Sequence, residues 1–337
     1  MFFRILGNPY TDLRISRNYK ESIKQIYDTN MKIISVINYK GGVGKTTLTA
    51  NLAAELAYRD YKVLMIDLDP QASLTFSFMD PNTWKKVYSI DKTVKNWFKP
   101  SKDVKPFCEL IIEPKAVSKR LGELDKKKGS LHLISSHLDL INVDLELATQ
   151  LGGANLQQAK HNFIKVHKRL VDGINEIDNG EYDLILIDCP PNFNIVTKNA
   201  IVASDHILIP AKPDYLSTLG IDYLKMSLDR LVKEYNEYCE IEEEDDEVDK
   251  INPEITGVVF TMVQIRNGQP ISALRPYINQ TKKLGIPVFT DFIRENKTIF
   301  AGAASYGVPA ILDSSYKPDV IEGMEKVVDE FIKKVGL

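Results

Sequence analysis

A glycine-rich segment, KGGVGKTT at residues 40–47, lies between a strand-like run and a helix-like run, and this arrangement limits the folds available to the chain. Residues 32–38 before it are branched and apolar, as in a buried strand, and residues 46–59 after it carry apolar side chains at helical spacing. A strand, a glycine loop and a helix in this order begin a parallel β–α–β unit. The segment therefore predicts an α/β fold that contains a phosphate loop.

The same alternation of apolar runs and helical patterns continues from Met31 to the C-terminal end of the 337 residues. It predicts a doubly wound, mainly parallel sheet flanked by helices. The predicted strands are residues 32–38, 62–67, 131–135, 183–188, 206–210 and 255–262, and the clearest helices are 46–59, 217–238 and 318–334. Residues 80–129 are rich in lysine and polar residues, and we expect a partly helical excursion there. We expect one P-loop domain over 31–337, preceded by an extension of residues 1–30 that packs on this domain or on a partner, or is disordered.

Composition and charge exclude several classes of protein. The apolar share is 44%, and no apolar run is long enough to cross a bilayer or to act as a secretory signal, so we expect a cytoplasmic protein. Three widely spaced cysteines argue against a disulfide framework or a structural zinc site. The net charge of −3 means that any affinity for nucleic acid must come from a local basic patch. The acidic run at 240–249 is expected to be a solvated loop.

The glycine loop has the chemistry of an ATP site. Its backbone N–H groups can approach phosphate oxygens, and the following helix points its positive end at them. We expect Lys45 to bridge the β- and γ-phosphates, the Thr46 hydroxyl to bind Mg²⁺, and Thr47 to contact the α-phosphate. Tyr39 occupies the place of the first glycine in the standard GxxxxGK[ST] pattern, so the loop is a variant. The residues predicted to hold the nucleotide here are Gly41, Gly42, Val43, Gly44, Lys45, Thr46 and Thr47.

KGGVGKTT resembles the deviant Walker A box of the ParA/MinD group. In that group the first lysine reaches across a dimer to the nucleotide of the partner. The resemblance therefore implies that Lys40 makes an intermolecular contact and that the chain forms an ATP-sandwich homodimer. The alternative is that Lys40 is a solvated loop cation.

Three aspartates follow predicted strands. Asp67 and Asp69 belong to DLDPQ, which resembles the DxDPQ segment of the family, and Asp188 precedes CPP as in its Walker B strand. The resemblance implies that Asp69 positions the attacking water and that Asp67 and Asp188 belong to the magnesium shell; Asp69 with its proline could instead form a turn or helix cap. A carboxylate that ends a buried strand is costly unless it is paired. The predicted catalytic residues are Lys40, Lys45 and Asp69, and the predicted metal residues are Thr46, Asp67 and Asp188.

Two later segments also resemble the family. Residues 209–224 resemble the segment after its next strand, and residues 257–266 resemble its adenine-side strand. The resemblance implies base or ribose contacts, although core or turn positions would explain these residues equally well. The residues concerned are Pro213, Asp214, Thr261 and Met262.

The function implied by the resemblance is a partitioning or positioning ATPase. In this cycle the ATP-bound dimer binds non-specific DNA on the nucleoid, and a ParB-like or cargo-adaptor protein stimulates hydrolysis and release. The cargo, whether plasmid, chromosome or carboxysome-like body, is left open. One alternative is a MinD-like ATPase held on the membrane surface by a basic amphipathic tail, although the ending VVDEFIKKVGL has few cations. The other alternative is a small-molecule P-loop synthetase. The DNA face, unless these are ordinary surface charges, would include Arg266, Arg275, Lys282, Lys283, Arg294 and Lys297.

Overall fold

A computed structural model gives the structure of the protein and describes residues 31–99, 105–126, 128–178, 180–240, 248–296, 299, 307–313 and 318–337. The predicted extension of residues 1–30 and most of the acidic run lie outside these residues, as does Lys297.

Six parallel strands form one sheet in the order β3-β2-β4-β1-β5-β6. Each predicted strand lies within two residues of an observed one, which confirms the predicted fold class. The strands are β1 Lys32–Val36, β2 Lys62–Asp67, β3 Ser130–Ile134, β4 Leu184–Asp188, β5 His206–Ala211 and β6 Glu254–Phe260.

Helices cover both faces of the sheet. A two-stranded hairpin of β7 Ile265–Arg266 and β8 Gln269–Pro270 follows β6. Short 3₁₀ turns occur at Phe107–Leu110 and Ala310–Leu312. The described helices are α1 Lys45–Tyr58, α2 Ser73–Phe78, α3 Pro81–Val87, α4 Val94–Phe98, α5 Lys115–Glu123, α6 Leu140–Thr149, α7 Leu156–His167, α8 Arg169–Ile174, α9 Ile195–Val202, α10 Tyr215–Cys239, α11 Arg275–Lys282 and α12 Pro318–Val335. None of these helices combines the length and the apolar character needed to cross a bilayer.

Alternate side chains of the central strands enter two separate cores, because successive residues of a strand point to opposite faces. In β2, Val63 and Met65 join the core that includes α1 and α12. Leu64 and Ile66 join the core that includes α9 and α10. Burial on both faces explains why the strands are almost continuously apolar in sequence.

The carboxyl ends of the central strands meet at one edge of the sheet. β4 lies between β1 and β2, and Asp188 pairs in register with Val36 on one side and with Asp67 on the other. The glycine loop leaves β1 at this edge and leads into α1. The fold therefore brings the predicted phosphate loop and two predicted carboxylates together.

Candidate nucleotide site

The glycine loop adopts a backbone that requires glycine at two positions. Gly42 has φ 68° and Gly44 has φ 82°, both in the left-handed region that strains other residues. A side chain added at Gly41 or Gly42 would meet no atom within 4 Å, so the space beside this part of the loop is open. The loop can therefore bring its backbone close to a bound anion.

Lys45 lies at the first turn of α1 with its ammonium folded over the loop. Its side chain is buried, and its Nζ donates to the backbone oxygens of Asn38 at 3.1 Å and Lys40 at 3.2 Å. Burial lowers its pKa, while the charges of Asp188 and Asp69 act in the opposite direction. The carbonyl oxygens carry no net charge, so a phosphate that replaced them would pair the ammonium with a full negative charge.

Asp188 is the buried acid nearest the start of α1. Its Oδ2 accepts a hydrogen bond of 2.7 Å from the Thr46 hydroxyl, and its Oδ1 accepts one of 3.4 Å from the Thr49 hydroxyl. Burial raises the pKa of this carboxyl to about 7, although Thr46 and Lys45 oppose the shift. A buried carboxylate beside a hydroxyl fits a hard cation.

The protein oxygens at this point suit Mg²⁺ rather than a metal held in a protein cage. No group of three or more His, Cys, Asp or Glu side chains placed to bind a metal occurs within the described residues. Mg²⁺ usually takes one or two protein oxygens together with water and substrate phosphates. Thr46 and Asp188, predicted as metal residues, fit that pattern.

Asp67 has a different environment from Asp188. It is fully buried, and its Oδ2 accepts from the backbone N–H of Thr75 at 2.8 Å and from the Thr75 hydroxyl at 2.7 Å. Its Oδ1 accepts from the N–H of Asp69 at 3.1 Å. Burial, aided by the charge of Asp188, raises its pKa well above the usual value. In this structure Asp67, predicted for the magnesium shell, braces the turn that carries Asp69.

Asp69, the predicted water-positioning residue, is held by its backbone from two directions. Asp67 accepts from its N–H, and the Ser136 hydroxyl donates to its carbonyl oxygen at 2.7 Å. The Ser136 N–H donates to the Thr75 hydroxyl at 3.0 Å, which closes the network. The sequence analysis did not identify Thr75 or Ser136. The only available signal was that Ser136 follows the predicted strand 131–135 and so reaches the same sheet edge.

Lys40 and Asp214 form an ion pair within the chain. The Lys40 Nζ lies 2.6 Å from Oδ2 and 2.9 Å from Oδ1 of Asp214. Asp214 also caps α10 by accepting from the N–H of Ser217 at 2.8 Å. Burial acts to raise the pKa of Asp214, but the hydrogen bonds from Lys40 and Ser217 outweigh it, and the pKa is lowered. Pro213, the other predicted contact in this segment, is buried.

A second part of the site is an open cavity of ≈ 320 Å³ beside the start of α1. Four of its lining residues were predicted to contact the nucleotide, namely Gly44, Thr47, Thr261 and Met262. The Thr261 hydroxyl donates to the carbonyl oxygen of Val43 at 2.6 Å. The other lining residues were not predicted for the nucleotide, and one of them, Arg294, was predicted for the DNA face. The cavity is lined by Gly44, Thr47, Leu48, Lys212, Thr261, Met262, Ile293, Arg294, Glu295 and Asn296.

The remaining described basic residues of the predicted DNA face lie on the β7–β8 hairpin and along α11, and none of them lines this cavity. Arg266 is exposed on β7, and Arg275 at the start of α11 donates from Nε to the carbonyl oxygen of Pro270 in β8 at 3.0 Å. Lys282 and Lys283 are exposed at the other end of α11. The hairpin and α11 thus carry four cations on one small unit.

Comparisons with known proteins show the family of the chain. The family model described as an AAA domain matches residues 31–241. The chain is 28% identical over 283 residues to the chromosome partitioning protein ParA of Caulobacter vibrioides, covering 84% of this chain and 87% of that protein.

Two solved structures share the fold. The ATP complex of a Cyanothece McdA variant has a TM-score of 0.64 at 20% identity, with 90% of this chain and 97% of that one covered. A Mycobacterium smegmatis cobyrinic acid a,c-diamide synthase with bound ATP analogue and magnesium has a TM-score of 0.57 at 21% identity, with 82% and 91% covered. With the glycine loop, two loop lysines and Asp188 in place, the chain belongs to the AAA domain family, as a deviant Walker A P-loop protein of the ParA/MinD type.

Proposed function

We propose that this protein is an ATP-hydrolysing partitioning ATPase that binds non-specific DNA as an ATP-bound homodimer. The observation that carries the proposal is the pair of loop lysines at one sheet edge, with Lys45 folded over the loop and Lys40 beside it. The 28% identity to a chromosome partitioning protein over most of both chains supports the partitioning role.

The loop and α1 would bind the triphosphate of ATP. Lys45 would exchange its carbonyl partners for β- and γ-phosphate oxygens, and the backbone of Gly41 and Gly42 would approach the same group. Thr46 and Asp188 would hold Mg²⁺, which neutralises phosphate charge when it is bound. The cavity beside Thr47 would take the base and ribose.

Hydrolysis would depend on the placement of Asp69. Phosphoryl transfer needs mainly positioning and charge stabilisation, so a residue that orients the attacking water must itself be fixed. Asp67 and Ser136 hold the backbone of Asp69 from two sides, and Gln71 donates its N–H to Asp69 Oδ1 at 2.9 Å. This network supports the role of Asp69.

Homodimerisation is supported by apolar side chains that the chain leaves exposed. Contiguous exposed apolar patches mark interaction surfaces. Tyr223 of α10 packs against Tyr39, which precedes Lys40, with ring centroids 5.7 Å apart, so the apolar stripe of α10 adjoins the loop. Within the described residues, the exposed large apolar side chains on α10, on α6 and just before α6 are Leu138, Ile141, Leu145, Tyr215, Leu216, Leu219, Tyr223 and Met226.

DNA binding is supported by a local excess of positive charge. Residues 255–290 contain no aspartate or glutamate and include Arg266, Arg275, Lys282 and Lys283. Lysine and arginine pair with phosphates without reading sequence, so such a unit can bind DNA non-specifically even though the net charge of the chain is −3. We infer a cytoplasmic, nucleoid-associated protein whose hydrolysis is stimulated by a ParB-like or cargo-adaptor partner.

The membrane alternative finds less support in the structure. An interfacial anchor needs an amphipathic helix whose apolar face is available. The apolar face of α12 is instead packed into the core against α1, through Met324, Val327, Val328, Phe331 and Val335. This favours DNA over a membrane surface as the matrix.

The test is ATP-dependent binding to a random-sequence DNA duplex, compared between the wild type and Lys40→Ala, with the oligomeric state measured in the same samples. We expect the wild type to dimerise and bind DNA only with ATP, and binding to weaken steeply as salt rises. Lys40→Ala should bind ATP but remain monomeric. DNA binding that ignores the nucleotide, or normal dimerisation of Lys40→Ala, would overturn the proposal.

A further inference from the structure

Lys40 has a specific partner in its own chain. Its ammonium contacts both carboxylate oxygens of Asp214, at 2.6 Å and 2.9 Å. These residues are 174 positions apart, so the contact comes from the tertiary fold and not from a local turn. The ion pair therefore fixes where the Lys40 side chain points when no second subunit is present.

Both partners of this pair are positioned by their own backbone environment. The Lys40 N–H donates to Asn38 Oδ1 at 2.8 Å, while Asp214 Oδ1 accepts from the Ser217 N–H at the start of α10. A carboxylate at a helix N-terminus is also favoured by the helix dipole. Asp214 can therefore keep its place and its charge after Lys40 leaves, so the lysine is the member of the pair that is free to move.

The ion pair favours one position of the Lys40 side chain, but it is weak enough to be broken. The two side chains are 29% and 39% exposed, and an ion pair of this exposure changes an equilibrium by roughly two- to fivefold. A triphosphate carries more negative charge than one carboxylate, so it can compete for the ammonium. The ion pair between Lys40 and Asp214 can therefore break when a triphosphate comes close to the Lys40 ammonium.

We propose that Asp214 is a positioning residue that holds Lys40 within its own subunit, and that this contact must break before Lys40 can engage the nucleotide of a second copy. This inference rests on the proposed ATP-dependent dimer. Asp214 then sets the nucleotide concentration at which dimers form. Its role differs from the ribose or base contact expected from the sequence, because it acts on Lys40 rather than on ATP.

The test uses Asp214→Asn, because asparagine also caps helices and removes only the charge. Glu237→Gln is the charge-matched control: it removes one negative charge from an exposed position near the other end of the same helix, beyond the exposed apolar side chains. The dimer fraction is measured by analytical ultracentrifugation during titration with ATPγS, and ADP binding to the monomer is measured in parallel. We expect the ATPγS midpoint of Asp214→Asn to fall by about two- to fivefold, while the midpoint of Glu237→Gln and the ADP affinity of both variants stay as in the wild type.

An unchanged or raised midpoint for Asp214→Asn would overturn the inference, and weaker ADP binding would assign Asp214 to the nucleotide instead. If the wild type itself fails to dimerise with ATPγS, the proposed function fails, and the inference fails with it. A readout on the monomer tests the ion pair directly. Lys40 should react faster with acetic anhydride in Asp214→Asn than in the wild type, by mass spectrometry, and equal rates would show that the pair does not hold the lysine.

Discussion

Replacing Asp188 with asparagine should stabilise the chain while removing its response to Mg²⁺ and ATP. Burial raises the pKa of Asp188 to about 7, whereas an aspartate in an unfolded chain has a pKa of about 3.9. Between these values the folded state holds a proton that the unfolded state has lost, so the free energy of unfolding falls as pH rises. At about 1.4 kcal/mol per pH unit, this group costs the wild type roughly 3 kcal/mol between about pH 5 and pH 7.

Asp188→Asn avoids this loss because it cannot ionise, and its amide oxygen can still accept from the Thr46 hydroxyl. Urea unfolding of both proteins at several pH values gives the difference in free energy, in which most other titrating groups cancel. We expect the free energy of unfolding of Asp188→Asn, relative to that of the wild type, to rise by roughly 3 kcal/mol as pH rises from about 5 to about 7. Above that range the difference between the two proteins should level off. Asp229→Asn, exposed on α10, is the control that removes a carboxylate from the surface of the fold.

A difference between wild type and Asp188→Asn that is independent of pH would refute this reasoning about burial. A shift in favour of the wild type would mean that Asp188 is ionised and well paired in the nucleotide-free chain. In thermal melts, Mg²⁺ with ATP should raise the Tm of the wild type and leave that of Asp188→Asn nearly unchanged.

Two further predictions concern hydrolysis and DNA. Ser136→Ala should lower kcat for ATP hydrolysis by roughly tenfold with little change in KM, because it frees the carbonyl of Asp69 without touching the phosphate loop. Ser136→Thr keeps the hydroxyl and should restore activity. An equal loss of kcat in both variants would point to a folding defect. The double variant Arg275→Ala, Lys282→Ala should weaken DNA binding equally for all sequences and reduce the slope of log affinity against log salt concentration by about 2. The control Lys86→Ala, exposed on α3, should leave both quantities unchanged. A slope equal to that of the wild type in the double variant would remove α11 from the DNA face.

The sequence predicted the features of this fold that have a local signature. Strand positions follow from short apolar runs, and the loop follows from glycines that the backbone requires at Gly42 and Gly44. The proximity of Asp67 and Asp188 could also be anticipated, because the carboxyl ends of parallel strands share one edge of the sheet.

Contacts between distant segments had no such signature. The partner of Lys40 is 174 residues away, and the hydroxyl that holds Asp69 is 67 residues away, so neither pairing follows from a local pattern. Arg294 was predicted for the DNA face from its charge and from the family resemblance. The structure places it on the lining of the cavity beside Thr47, where its segment pairs with Val263 beyond the end of β6. The charge of a residue alone does not predict which surface of the fold the residue will lie on.

The packing of α12 on α1 links the two ends of the domain. The helix that begins at Lys45 is covered by residues of α12, and Asn51 on α1 accepts a hydrogen bond from the N–H of Ile311, 260 residues later. A ribosome makes these covering residues about 260 residues after Asn51, so α1 remains without its cover while the whole sheet is being made. A nascent chain should thus gain a stable phosphate loop only after the residues of α12 have been made.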